Sequence, residues 1–381
     1  ATPEGYILYT RIDNGGFDSG RKISAVRGKD GRYHVEVDIR PDKIYSFRIS
    51  AYNEGGEGFP SETLSIGIPS KGAAEQKVLL VNNFDRVSGP AFIDTPEYAG
   101  FLNGLDSGVP YMRDIAFVGE MYQNMRSSEY VSNDNPGFGA SYDDYAGKIV
   151  AGNTFDYPYT HGKAIMKAGH PFFSCSNEAF VSDTTFRKSA WAADLICGKQ
   201  VTTMTGSGKE TRFTVFTPEM QSALRAFTTD GGNILTNGAY IATDAWDQVY
   251  PVNIDNSVRA EAKTFAREVL GYKWVRNHGS KTGEVRFVKS TRFGCRKGKS
   301  LNFHNDMNEE CYSVENPDAI SPASAKTGST FLRYSDTDMS AGVCYEGDGY
   351  KAVSIGFPLE TLKDEKNIDY IIKTTLEFFN K

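Results

Sequence analysis

From Lys77 onward, short apolar runs alternate with helical stretches, and this rhythm limits the possible folds more than any other feature of the chain. Val78 to Asn82, Phe172 to Ser174, Ala193 to Ile196, Asn233 to Thr236 and Val353 to Phe357 are the strand candidates. Strands that alternate with helices predict a mostly parallel α/β sheet with helices on both faces. Pro218 to Phe227 predicts a helix: Thr217 stands at the N-cap, Pro218 at the first helical position, and Gly231-Gly232 ends the run. A last helix, Ile368 to Phe379, closes this part.

Residues 1 to about 70 have a different period. Gly5 to Tyr9, Tyr33 to Val37 and Tyr45 to Ala51 alternate apolar and polar with turn residues between them, the pattern of half-buried strands. Tyr45 to Pro60, followed by Ser61-Glu62, resembles the F strand, F-G turn and start of the G strand of a fibronectin type III domain. Gly5 to Thr10 resembles the third strand of that sandwich and lies at the very start, so the resemblance implies a partial sandwich lacking its first two strands. The polar stretch 71–76 then predicts a linker to a second domain over 77–381. Within that domain an insertion at about 86–170 is rich in Gly, Asn, Tyr and Asp, and connections of such length carry function or structure of their own. Thr282 to Phe331 has β-hairpin character.

The net charge of the 381 residues is -6. With no long basic run, this argues against a nucleic-acid or anionic-membrane partner. No apolar stretch approaches the roughly 20 residues of a membrane-spanning helix. The chain begins Ala1-Thr2-Pro3 without an initiator Met or a leader, as expected if a signal peptide has been removed or the chain starts inside a longer protein. The five cysteines, Cys175, Cys197, Cys295, Cys311 and Cys344, form no CxxC pair, so neither structural zinc nor another metal is expected, and nothing calls for a cofactor. Cys295 and Cys311 flank a short segment and would close a loop by a disulfide in an exported protein.

In an open parallel sheet, ligands bind beyond the carboxyl ends of the strands. The residues placed there are polar: Asn83, Asp85 and Arg86 after the first strand, Cys175, Ser176 and Glu178 at the second, and Asn237, Tyr240 and Asp244 after the fourth. Asn, Asp and Ser also cap helices and make turns, which is the alternative for each of them. Cys175, between a strand and a helix start, is the candidate nucleophile, because the positive end of a helix dipole lowers a thiol pKa. Phe173 and Asn177 stand where a sharp nucleophile elbow favours Gly, and a buried structural thiol is the competing reading. A thiol nucleophile needs a base, and His161 in the long insertion is the candidate, with Glu178 as a further catalytic group. Tyr157 and Tyr159 beside it suit sugar stacking or a core.

Val78 to Pro90, Gly152 to Ile165, Phe172 to Phe180 and Gly231 to Asp244 together resemble a family of secreted Bacteroidetes proteins labelled xanthan lyase-like or N-acetylmuramoyl-L-alanine amidase-like. The resemblance implies an extracytoplasmic protein acting on a polysaccharide or peptidoglycan-type substrate. The sheet pattern and Ser354 to Glu360 also resemble a class I glutamine amidotransferase-like, flavodoxin-like domain. Active amidotransferases pair the Cys with a His just before Pro and Glu near the carboxyl terminus; here Phe357 precedes Pro358 and Leu359 intervenes before Glu360. Three expectations follow: a hydrolase using Cys175 and His161 on a glycan or amide bond, a non-catalytic glycan-binding or surface scaffold module, and a polysaccharide lyase.

Overall fold

A computed structural model describes residues 3–23, 26–70, 75–84, 91–102, 113–114, 120–121, 123–133, 135–142, 145–204, 211–247 and 256–381. Its centre is one sheet of fourteen strands. In chain order these are β1 (Gly5–Ile12), β2 (Arg21–Ile23), β3 (Ile44–Asn53), β4 (Gly56–Glu57), β5 (Leu64–Gly67), β6 (Val78–Asn82) and β7 (Phe172–Ser176). They continue as β8 (Ala192–Ile196), β9 (Asn233–Asn237), β10 (Glu284–Phe287), β11 (Ser300–Asn302), β12 (Gly328–Tyr334), β13 (Ser340–Glu346) and β14 (Lys351–Ile355). Their order across the sheet is β2-β1-β3-β5-β7-β6-β8-β9-β14-β13-β12-β10-β11, with β4 pairing to β3. The helices are α1 (Pro158–Lys167), α2 (Asn177–Ser182), α3 (Thr184–Lys188), α4 (Pro218–Thr229), α5 (Thr243–Trp246), α6 (Asn256–Glu268) and α7 (Glu365–Phe379).

The expectation of a mostly parallel, flavodoxin-like sheet is corrected by this order. Only β7, β6, β8, β9 and β14 run parallel to one another. Both edges of that block are extended by antiparallel strands: β13, β12, β10 and β11 on one side, and β5, β3, β1 and β2 on the other. The amino-terminal strands therefore belong to the same sheet, joined through the pair Phe172 and Gly67. The physical reason is that an uncovered edge presents unpaired N–H and C=O groups, which neighbouring strands satisfy, whereas local patterning does not say which strand does so.

β6, β8 and β9 are buried along their whole length, which requires side chains suited to an interior on both faces. Their alternation divides the core. Val78 and Leu80 pack with Ile165 of α1 and Ile368, Ile371 and Leu376 of α7. Leu79 and Val81 face the other way, with Phe180 of α2, Leu224 and Phe227 of α4 and Phe265 of α6. Helix α4 starts where the Thr217 hydroxyl accepts from Met220 N at 3.1 Å, and the chain leaves it through Gly231 at φ 86°. None of the helices among the described residues is long and apolar enough to cross a membrane.

Candidate functional site

The strand-end residues form two groups, and neither contains a thiol paired with a histidine. His161, in the insertion at about 86–170, lies on α1 and is completely buried. Pro158 at the start of α1 was the available signal for a helix here. The ring Nδ1 of His161 sits 2.7 Å from Asp194 Oδ2, and Nε2 sits 3.3 Å from Glu360 Oε2. Asp194 stands in the middle of β8, and Glu360 in the 3-10 turn Leu359–Thr361. Both carboxylates are anchored further. Asn237 Nδ2 donates to Asp194 Oδ1 at 3.0 Å while its Oδ1 accepts from Leu359 N, and the Tyr312 hydroxyl donates to Glu360 Oε1 at 2.8 Å.

This surrounding fixes the protonation of the ring. Burial opposes the imidazolium most strongly of any single cause, yet attraction and hydrogen bonding from Asp194 and Glu360 together outweigh it and raise the His161 pKa from 6.5 to about 10. At neutral pH both ring nitrogens therefore donate, and no lone pair is left to accept a proton. The two carboxylates thus favour the charged imidazolium form of His161.

Cys175 lies on the opposite side of the sheet from α1. It pairs in register with Val81 and shares the apolar layer of Leu79, Val81 and Phe180, whereas Asp194 aligns with Leu80 and faces His161. The residue is 1% exposed, and burial first, then the charges of Glu62, Asp183 and Glu178, pushes its thiol pKa well above the ordinary value. The expected Cys175–His161 pair is thus not formed, because successive side chains of a strand point to opposite faces. The Ser176 hydroxyl accepts from Ala179 N as the N-cap of α2, and Glu178 lies exposed in the first turn of that helix, where a negative charge complements the dipole. Asp85 and Arg86 lie outside the described residues.

The second group holds the backbone of one residue, Val215. Asn83 Nδ2 donates to Val215 O at 2.8 Å, and Asp244 Oδ2 accepts from Val215 N at 3.0 Å, so the two side chains grip Val215 from either side. Asp244 Oδ1 also accepts from Thr202 N at 2.6 Å. Burial pushes the Asp244 carboxyl up, against these hydrogen bonds and the nearby positive charge of Arg259. Tyr240 is a core residue. So is Tyr157, edge-on to Tyr312 at 5.6 Å between ring centres, while Tyr159 packs against that core and is partly covered by the Arg11 guanidinium, the core placement of the two expected for this pair.

All five cysteines are free, so the expected Cys295–Cys311 bridge is not made: Cys295 Sγ faces Val288 O and Cys311 Sγ faces Glu360 O. Among the described residues no group of three His, Cys, Asp or Glu side chains is placed to hold a metal ion. Asp194 and Tyr312 escaped the sequence reading. A carboxylate inside the apolar run Ala192–Ile196 was the signal, since a buried charge demands a partner.

No protein-family model matches the chain, and no curated protein does. Among solved structures it is similar to Gan42B, a GH42 beta-galactosidase from G. stearothermophilus, at 11% identity and a TM-score of 0.35, over 58% of this chain and 25% of that one. The exo-beta-1,4-mannosidase Op5Man5 from Opitutaceae bacterium strain TAV5 matches at 8% identity and a TM-score of 0.34, over 58% and 30%. Cytoplasmic Protein STM1381 from Salmonella typhimurium LT2 matches at 8% identity and a TM-score of 0.39, over 80% and 98%. The chain thus spans about a quarter of the length of the beta-galactosidase it matches. Likenesses this low carry no argument about activity.

Proposed function

We propose that the chain is a non-catalytic glycan-binding module. The observation that carries this reading is the burial of Cys175 on one face of the sheet while His161, on the other, has both ring nitrogens engaged by Asp194 and Glu360. Without a thiolate and a free base, thiol hydrolysis has no nucleophile. Lyase chemistry, which abstracts a proton next to a carboxylate, likewise has no base in His161.

A glycan is favoured as ligand by the motif resemblance and by the surface of the long insertion. Tyr98 and Met125 face each other across a β-bridge and are both exposed, and the neighbouring Arg126 guanidinium lies 5.6 Å from the centre of the exposed Phe138 ring. Tyr130 is 67% exposed. Exposed rings with polar edges offer apolar faces to sugar C–H groups and leave the hydroxyls to water and side chains. An extracytoplasmic location belongs to the same reading, because cell-wall and extracellular glycans lie there.

The test is affinity electrophoresis through gels containing soluble bacterial or plant polysaccharides, together with pull-down on peptidoglycan, for the wild type and Cys175→Ala. Retardation by at least one glycan, equal in both proteins and without release of new sugar ends or amines, is the expected result. Turnover that disappears in Cys175→Ala would restore the hydrolase, and retention by no glycan would end the binding reading.

A further inference from the structure

The chain is acidic as a whole, with a net charge of -6, yet one stretch reverses that balance. Between Val285 and Phe303 there are six Lys and Arg and no Asp or Glu. This stretch runs from β10 through a loop over 288–299 into β11, the last strand at one edge of the large sheet. The loop is held firmly from below. Phe293 is buried, with its ring centre 4.1 Å from that of Phe331 and 5.7 Å from that of Phe378 on α7, and Ser290 Oγ accepts from Phe293 N at 3.0 Å. Arg296 N donates to the Tyr370 hydroxyl at 2.7 Å, and Lys299 Nζ donates to Asn367 Oδ1 at 2.6 Å, both partners standing on α7.

Helix α7 adds charges of the same sign. Its acidic Glu365 and Asp369 pair with Lys163 and Lys167 of α1. Lys366 and Lys373 lie four residues before and three after Tyr370, which places them on the stripe against which the loop packs. Among the described residues no carboxylate pairs with Arg296, Lys297 or Lys366, all three exposed, and Lys373 meets only Glu377, at 3.9 Å. Like charges gathered in this way repel one another in the unliganded fold, and an anion laid across them removes that cost. Because the loop is already fixed, it needs little further ordering to bind.

The acidity of the remaining surface says which polyanion. Duplex DNA carries one charge about every 1.7 Å, so it would run off this face onto a surface that repels it. An anionic membrane is a broad plane of charge and meets the same repulsion. A polysaccharide with a carboxylate on only some of its sugars sets hydroxyls and C–H groups between its charges. Those suit the exposed Thr291, Gly294, Gly298 and Ser300, which separate the cations of the loop. Resting on the glycan-binding reading, we infer that the face made by the loop 288–299 and the Lys366–Lys373 stripe of α7 binds a carboxylate-bearing polysaccharide. Arg296, Lys297 and Lys366 hold its carboxylates.

The experiment runs the full chain at low salt through gels containing polygalacturonate, alginate or hyaluronate, each beside its methyl ester, which keeps the sugars and removes the charge. Duplex DNA and phosphatidylserine vesicles are the competing probes. One variant is Arg296→Gln/Lys297→Gln/Lys366→Gln. The other, Arg21→Gln/Lys22→Gln/Lys29→Gln, makes the same change of charge in the amino-terminal segment, whose β2 forms the opposite edge of the sheet. At least one carboxylated polysaccharide should retard the wild type while its ester does not, and added salt should weaken the effect. The first variant should bind about tenfold more weakly, and the second like the wild type. Equal retardation by acid and ester, unchanged binding in the first variant, an equal loss in the second, or tighter binding to DNA or to the vesicles would overturn the inference. Retention by neutral glycans alone overturns it too, but leaves the glycan-binding reading standing. Binding through this face together with turnover that Cys175→Ala abolishes removes the non-catalytic reading and leaves the face. Retention by no polysaccharide, charged or neutral, ends both.

Discussion

Raising the pH from 7 to 8 should destabilise the protein, and His161 is the reason. Its folded pKa of about 10 lies above the ordinary 6.5. The folded form therefore keeps a proton that the unfolded chain releases, and the stabilisation is complete below about 6.5 and is lost as pH rises towards 10. The full span corresponds to about 5 kcal/mol, at roughly 1.36 kcal/mol per pKa unit. Removing one partner of a buried charge pair costs about 3–5 kcal/mol, which agrees. Between pH 7 and 8 the His161 contribution falls by about 1 kcal/mol per pH unit. Asp318, raised by burial to about 7, adds a loss of the same sign at the lower end of this window; His278 and His304, lowered by burial, oppose it weakly as their unfolded rings titrate above 6.5; and Cys311, pushed up to about 12 by burial, adds its own loss only near its unfolded value of 9.0. Urea unfolding at closely spaced pH values measures the slope, and nitrogen NMR of the histidine rings shows directly whether His161 is doubly protonated at pH 8. His161→Gln should lower stability at pH 7 by about 3–5 kcal/mol, since it leaves Asp194 and Glu360 buried and facing each other. A neutral His161 ring at pH 7, or a flat stability profile between pH 7 and 8, would refute the reasoning.

Iodoacetamide at neutral pH should label half-buried Cys295 well before the buried Cys175, Cys197 and Cys344 and before Cys311, whose thiol burial pushes up to about 12, read by peptide mass spectrometry; Cys175 reacting first would show a thiolate that its surroundings should not permit. Gly356→Ala should cost about 3 kcal/mol or more in urea unfolding, because the new Cβ would lie 2.0 Å from the carbonyl oxygen of Asp318, a backbone atom that also accepts from the Tyr334 hydroxyl; a loss under about 1 kcal/mol would mean the two segments separate easily.

The elements were more legible than their assembly. Thr217, Pro218 and Gly231 bracket a helix by local chemistry alone, and the structure has one at Pro218–Thr229. Val78–Asn82 reads as a strand because both of its faces are buried and nearly every side chain is apolar. The pairing of Gly67 with Phe172, over a hundred residues away, has no local signature. Nor does the antiparallel extension of β14 by β13, which turns a parallel block into a mixed sheet. Strand edges are satisfied by whichever segment the whole chain brings to them, so patterning restricts what a segment becomes and not what it pairs with.

The candidate site departs from its sequence pattern for a related reason. Polar residues past a strand predict a ligand cleft, but Asn83, Asn237 and Asp244 turn inward, where the backbone of the connecting segments needs partners: Asn83 and Asp244 bind the two sides of Val215, and Asn237 receives Leu359 N. A long connection crossing the end of a sheet buries peptide groups that no ladder can pair, and side chains at the strand ends are the nearest groups able to do so. Polar strand ends in a chain with such connections are therefore evidence first of loop anchoring. They become evidence of a ligand only where a polar atom remains unmatched after the loops and buried waters have been served.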